Sequence, residues 1–273
     1  MPRRIISFSL YGQLPIYVVG AIRNAELVHE VYEGWIARFY VDESVSVDVL
    51  EALATRGAEI VKVDCPRKGP MYGRYWRFWV AADAEVERFI VRDADSRLNT
   101  RERAAVDAWG ASGKRFHIMR DSIHHNRLML SGMWGGLGGC LPEIRRQVDN
   151  WGRYSVRGEN DQFMSEIVYP HTKNQHLCHD SYGHFEDGQP FPPHAPMCET
   201  SFVGEIVELD MIGMDVWRRL GARNEQIELL ARKLLNKERE LAEANAKPLS
   251  YRQPRSINRL LRWTPPWRGR SAL

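Results

Sequence analysis

Between residues 88 and 98 the chain reads Arg-Phe-Ile-Val-Arg-Asp-Ala-Asp-Ser-Arg-Leu, a short apolar run that stops at two aspartates one residue apart. Phe89, Ile90 and Val91 are β-formers with no polar residue between them, which predicts a buried central strand. In extended or turning backbone, alternate residues point the same way. Asp93 and Asp95 therefore aim two carboxylates at one point just past the strand end. Open α/β sheets bind their ligands there, outside the carboxyl ends of the strands. Two converging carboxylates beside bound phosphates suit Mg²⁺ or Mn²⁺. A plain surface turn is the competing reading, since Asp and Ser are common turn residues. The position of the pair, after an apolar strand and before a helix, favours the ligand site.

The segments around this strand alternate between two periodicities. Arg4–Leu10 reads as a first strand, and Tyr17–Trp35 as a helix after the loop Tyr11–Pro15. Ile36–Val41 is a second strand. A helix over Ser46–Arg56 follows, with Ser46 as N-cap and Gly57 at its C-terminal end. Ala58–Val63 is a third strand, and Tyr72–Ala82 carries an aromatic helical pattern. Beyond the aspartates a helix is expected from Thr100, as N-cap, to about Trp109, then a strand over Lys114–Met119. Leu141–Trp151 and Asn160–Val168 read as helices. The glycine-rich stretch from Ser131 to Gly139 reads as a turn or a loop that lets backbone approach a ligand. Residues 169–200, rich in Pro, His and Gly, are expected to be irregular, and Phe202–Leu209 to form a last strand. Strands alternating with helices predict an α/β fold with a mainly parallel sheet.

Composition excludes several classes. The chain has 273 residues with a hydrophobic fraction of 44 %, enough for a real core. A net charge of +3 is too mild to argue for nucleic acid. No apolar run approaches the ~20 residues of a membrane span, and no secretory signal is recognisable. Cys65, Cys140, Cys178 and Cys198 form no C-x-x-C pair, so free thiols in a cytoplasmic protein are expected. The histidines between residues 171 and 194 lack zinc-site spacing; one of them joining the two aspartates around a single metal is the more plausible arrangement.

Several stretches then fall into a known order: Ser9–Gly12, Gly20–Asn24, Tyr75–Phe78, Arg92–Leu98, Phe116–Asp121, Gly132–Gly136, Asn160–Gln162 and His179–Ser181. Together they resemble bacterial glycosyltransferases of the GT-A fold, the nucleotide-diphospho-sugar transferases, and most of all the polysaccharide- and lipopolysaccharide-locus group with an "RDADSRL" metal motif. The resemblance spans most of residues 4 to 210. It implies a Rossmann-like GT-A domain, placed over residues 1–220; outside the resemblance, residues 221–273 read as an amphipathic helix (Asn224–Asn245) and a basic tail. It implies transfer of a hexose from a nucleotide-diphosphate sugar, UDP-sugar favoured, to a glycan or lipid-linked acceptor, with Mn²⁺ or Mg²⁺ as cofactor. Ser9, Leu10 and Tyr11 would meet the nucleotide base. Arg77 would reach the diphosphate, its alternative being a pairing with a carboxylate such as Asp83. Gly132, Trp134 and Gly135 would put backbone against the donor sugar. Asp93, Asp95 and His179 would hold the metal, with Asp95 as the direct ligand and Asp93 shared with the ribose. Asp161 and Gln162 would sit beside the anomeric carbon. Asp161 would be the base of an inverting enzyme or the charge stabiliser of a retaining one, and Glu159 is a spare carboxylate nearby.

A sugar nucleotidyltransferase and a non-catalytic nucleotide-sugar or glycan-binding module are the alternatives. The first is disfavoured because Tyr11–Pro15 is not the glycine- and lysine-rich loop that class carries after its first strand. The tail beyond Ala246 holds seven Lys or Arg and no Asp or Glu, interleaved with Leu260, Leu261, Trp263 and Trp267. Peripheral docking on an anionic membrane surface is expected of it, with a solvated tail as the alternative; nucleic-acid binding is the minor reading.

Overall fold

The computed structural model describes residues 3–66 and 68–208. From the N-terminus, β1 (Arg3–Leu10), α1 (Pro15–Val31), β2 (Ile36–Val41), α2 (Val47–Thr55) and β3 (Glu59–Lys62) alternate as expected. A 3-10 helix (Tyr72–Ala82) leads into β4 (Val86–Val91), then α3 (Thr100–Ala111), β5 (Phe116–Arg120) and β6 (Trp134–Leu137). Helices α4 (Ile144–Trp151) and α5 (Glu159–Phe163) follow, the latter continued by a π turn (Met164–Val168) into α6 (Tyr169–Thr172). Strands β7 (His176–Asp180) and β8 (Gly188–Gln189) complete one sheet in the order β3-β2-β1-β4-β6-β5-β7-β8. All neighbours are parallel except β6, which runs antiparallel to both β4 and β5. This is the α/β, mainly parallel sheet flanked by helices that the sequence implies.

The central strands are buried on both faces, which is why they read as continuous apolar runs. Phe89, Val91, Phe116 and Ile118 face a core built with Trp76, Phe78, Ile144 and Phe163. His117, one residue out of phase, turns to the other face and stacks on Trp109 of α3. Helix α1 is so deeply packed that Val18, Val19, Ala21, Ile22 and Ala25 are all buried.

Five expectations are corrected. Helix α1 ends at Val31, not Trp35: Gly34 takes φ +80° and turns the chain into β2, and Trp35 packs edge-on to Tyr32. Asn99, not Thr100, caps α3, its side chain accepting the Glu102 amide. The glycine-rich stretch contains β6, because a Cβ at Gly135 would strike the Phe89 carbonyl and only glycine admits the strand this close. Residues 176–180 form β7 in a region expected to be irregular, whereas Ile206 makes only an isolated bridge to Ser96. Among the described residues no helix is long and apolar enough to cross a membrane. The expected boundary near residue 220, the helix over 224–245 and the basic tail lie outside the described residues.

Candidate active site

The strand order reverses beside β1, since β2 and β3 lie on one side and β4 and the later strands on the other. Such a switch point leaves a crevice at the carboxyl ends of the strands. A cavity of about 620 Å³ opens there. Its walls bring together Ser9, Leu10 and Tyr11 from the end of β1, Arg77 from the 3-10 helix, Asp93 and Asp95 from the turn after β4, and Gly132 and Asp161. Eight of the residues singled out in the sequence thus meet in one place.

The turn carrying the aspartates is held from behind. Buried Asn24 of α1 donates to the carbonyls of Ser96 (2.8 Å) and Ala94 (3.4 Å) and accepts the Leu98 amide (3.1 Å). Gly20, one turn earlier, lets α1 lie against the Ala94 carbonyl, where a Cβ would collide. Arg92 is not part of the cavity. Its guanidinium donates to Glu102 at 2.9 Å, and Tyr32 donates to the same carboxylate oxygen at 2.8 Å. This buried group ties β4 to α3. The first arginine of the motif therefore anchors the strand, and the two aspartates that follow it line the cavity.

Arg77 pairs with Asp93 and also donates to the Arg92 carbonyl (3.1 Å) and to Ser131 Oγ (3.3 Å). Asp83, the partner weighed for it in the sequence, is instead held by Arg38 at 2.7 Å. The Arg77 side chain is 4 % exposed and that of Asp93 48 %, so the buried guanidinium fixes a carboxylate that still reaches the cavity. Ser7 and Ser9 position the 3-10 helix: Ser7 Oγ donates to the Arg77 carbonyl (2.7 Å) and Ser9 Oγ accepts its amide (2.9 Å). Asp95 is 8 % exposed. Burial and the neighbouring Asp93 charge push its carboxyl up to about 6. Among the described residues no side chain donates to it.

Ser131 joins this half of the site to the other. Its Oγ accepts from Arg77 and from Asn160 Nδ2 (2.6 Å), and its amide donates to Asp161 Oδ1 at 2.9 Å. Glu159, the spare carboxylate, accepts the Ser155 and Val156 amides at 2.7 and 2.9 Å and closes a turn. Asp161 alone of the two lines the cavity.

Four expected site residues are not brought into the cavity lining. Trp134 is wholly buried in β6 against Phe89 and Phe78. Gly135 is spent on the close approach of β6 to β4. Gln162 points away and donates to Glu166 at 2.6 Å. His179 is buried in β7, its ring nitrogens meeting His117 (2.9 Å) and Gln189 (3.3 Å). Burial, the largest cause, and Arg101 hold it down to about 4. The metal set that places His179 with the aspartates is therefore corrected: the described residues bring together only Asp93 and Asp95, and among them no group of three His, Cys, Asp or Glu converges.

The cavity also contains Asn160, from the stretch Asn160–Gln162, and residues that the sequence reading passed over: Tyr17, Arg74, His125 and Arg157. Arg74 makes a side-chain hydrogen bond with Tyr11. Burial and then Asp95 push the Tyr17 phenol up, with Arg74 and Arg157 acting against that rise. Arg74 is one helical turn before Arg77, and that spacing was the available signal. For Arg157 and His125, loop residues, there was none.

No protein-family description matches the chain, and no curated protein matches it. Solved structures with similarity include a glycosyltransferase involved in the glycosylation of the major capsid of PBCV-1, at 14 % identity and TM-score 0.43, covering 66 % of this chain and 82 % of that one. Another is a mannosyltransferase from Pyrobaculum calidifontis in complex with GDP-Man and Mn²⁺, at 11 % identity and TM-score 0.43, covering 66 % of this chain and 55 % of that one. A third is the 4-diphosphocytidyl-2C-methyl-D-erythritol synthase of Anaerococcus prevotii, at 9 % identity and TM-score 0.42, covering 67 % and 91 %.

Proposed function

We propose that this chain is a metal-dependent glycosyltransferase that moves a hexose from a nucleoside-diphosphate sugar, UDP-sugar favoured, to a glycan or lipid-linked acceptor. The observation that carries this reading is the meeting of Asp93 and Asp95 at a switch-point cavity that also holds Arg74 and Arg157. A nucleotide-sugar diphosphate needs both kinds of group, cations for its charge and carboxylates for a bridging metal.

Asp93 and Asp95 fit Mg²⁺ or Mn²⁺. Such ions take one or two carboxylates and complete their shell with water and substrate phosphate, so a third protein ligand is not required. Bound there, the ion would offset the charge that develops on the departing diphosphate. Arg74 and Arg157 face the same space and would take phosphate oxygens. Ser9, Leu10 and Tyr11, at the far end of β1, would meet the base. Gly132 would offer its backbone to the sugar. Asp161, held by the Ser131 amide through one oxygen, keeps the other to take the proton of the attacking hydroxyl or to face a positively charged sugar.

Calorimetric titration with UDP, GDP and CMP and with their sugars, each with and without Mn²⁺, tests the reading. Binding that prefers a nucleoside diphosphate and requires the metal is expected. Indifference to all of these ligands would sink it.

A further inference from the structure

We propose that His125 is a neutral hydrogen-bond donor to the sugar in this cavity, its Nε2–H acting beside the Asp161 acceptor. The inference rests on the glycosyltransferase reading and adds to it a residue that recognises the sugar.

His125 lines the cavity. Its Nδ1 lies 3.0 Å from the Asp121 backbone amide. An amide N–H can only donate, so Nδ1 must present its lone pair. The proton of the neutral ring then belongs on Nε2. Nε2 has no partner among the described residues, yet it is not among the buried atoms left unpaired, so it remains open to approach. The ring is held by what surrounds it. Phe202 stands edge-on with centroids 5.7 Å apart. Asp121, which supplies the amide, is fixed at its carboxylate by Arg101 (2.8 and 2.9 Å) and by the Val203 amide (2.8 Å).

Charge favours the same protonation state. Burial is the largest effect and lowers the imidazole pKa, His184 and His124 lower it further, and Asp121 and Asp161 oppose them without reversing the shift. A neutral donor and the Asp161 carboxylate acceptor lining one cavity match sugar hydroxyls, each of which both accepts and donates.

Two measurements test this. Long-range ¹H–¹⁵N correlation on the free protein at neutral pH should show His125 with its proton on Nε2; a proton on Nδ1, or a charged ring, overturns the inference. Calorimetry with Mn²⁺ then compares UDP with UDP-glucose and UDP-galactose, and GDP with GDP-mannose, on wild type, His125→Ala and His125→Gln. His125→Ala should bind the diphosphates as wild type does and bind the sugar nucleotide about fivefold more weakly, the scale of one lost neutral hydrogen bond. His125→Gln, which can place an N–H near the Nε2 position, should recover most of that loss. An equal change for diphosphate and sugar nucleotide would remove His125 from sugar recognition while leaving the enzyme reading intact. If the wild-type protein binds no sugar nucleotide at all, the enzyme reading fails and this inference falls with it.

Discussion

The Asp93 carboxylate occupies the space that a side chain at position 132 would need: a Cβ built on Gly132 runs into its Oδ2. Glycine at 132 is thus a steric condition for the Arg77–Asp93 pair and for the direction in which Asp93 faces. Gly132→Ala should displace that carboxylate while leaving the sheet folded. Mn²⁺-dependent nucleotide binding should fall at least about tenfold, with a melting temperature within a few degrees of wild type. Unchanged affinity would mean that the position of Asp93 does not matter to the ligand.

Asp95 makes a prediction about pH. Its folded pKa, pushed up to about 6, lies above the value near 3.9 expected in the unfolded chain. The folded state therefore holds the proton more tightly. The associated stability is fully present below about pH 4 and is lost as pH rises through about 6, by about 3 kcal/mol in the absence of metal. Asp95→Asn should flatten that part of the stability profile in chemical denaturation and abolish Mn²⁺-dependent binding. A variant that keeps both the wild-type profile and the metal response would refute the assignment.

Asp161 offers a separation of binding from chemistry. Asparagine at 161 keeps an oxygen that can accept the Ser131 amide, so the loop should stay in place. Turnover should fall by about 10²- to 10⁴-fold with donor affinity changed less than about threefold, as expected of a group that acts at the reacting centre. Steady-state kinetics beside calorimetry decides it; parallel losses would make Asp161 a binding residue.

Asn24 never touches the cavity but holds the turn that makes it. Asn24→Ala leaves the Ser96 carbonyl and the Leu98 amide without their buried partner. A loss of about 3 kcal/mol is expected, read as a melting temperature lowered by roughly 6–12 °C. If stability holds, the turn is supported by other contacts than these.

The basic tail carries a prediction from charge alone. Seven Lys or Arg with no acidic residue follow Ala246, and each contributes ~1 kcal/mol near an anionic leaflet at low salt. The full chain should co-sediment with anionic vesicles but not neutral ones, and a chain ending at Ala246 should stay in the supernatant with both. Equal behaviour of the two chains would leave the tail without this role.

Local physics was enough for much of this protein. A run such as Phe89-Ile90-Val91 is apolar because it is covered on both faces, so it announces a central strand. The aspartates that follow it mark the carboxyl end of that strand, where the cavity opens. Ser9, Tyr11, Gly132 and Asp161 could be singled out by motif, and they do line the cavity. What the sequence could not decide were contacts between residues far apart in the chain. The glycines of β6 look like a loop until Phe89 is laid against them, since the space they save belongs to another strand. His179 looks like a ligand until β5 and β8 close over it and give its nitrogens to His117 and Gln189. Arg77 looks free for phosphate until Asp93 is brought to it. His125 gains its tautomer, and with it its chemistry, only from an amide presented at the end of β5. Each of these was settled by which partner the sheet order carried into reach, and strand order is a property of the assembled fold.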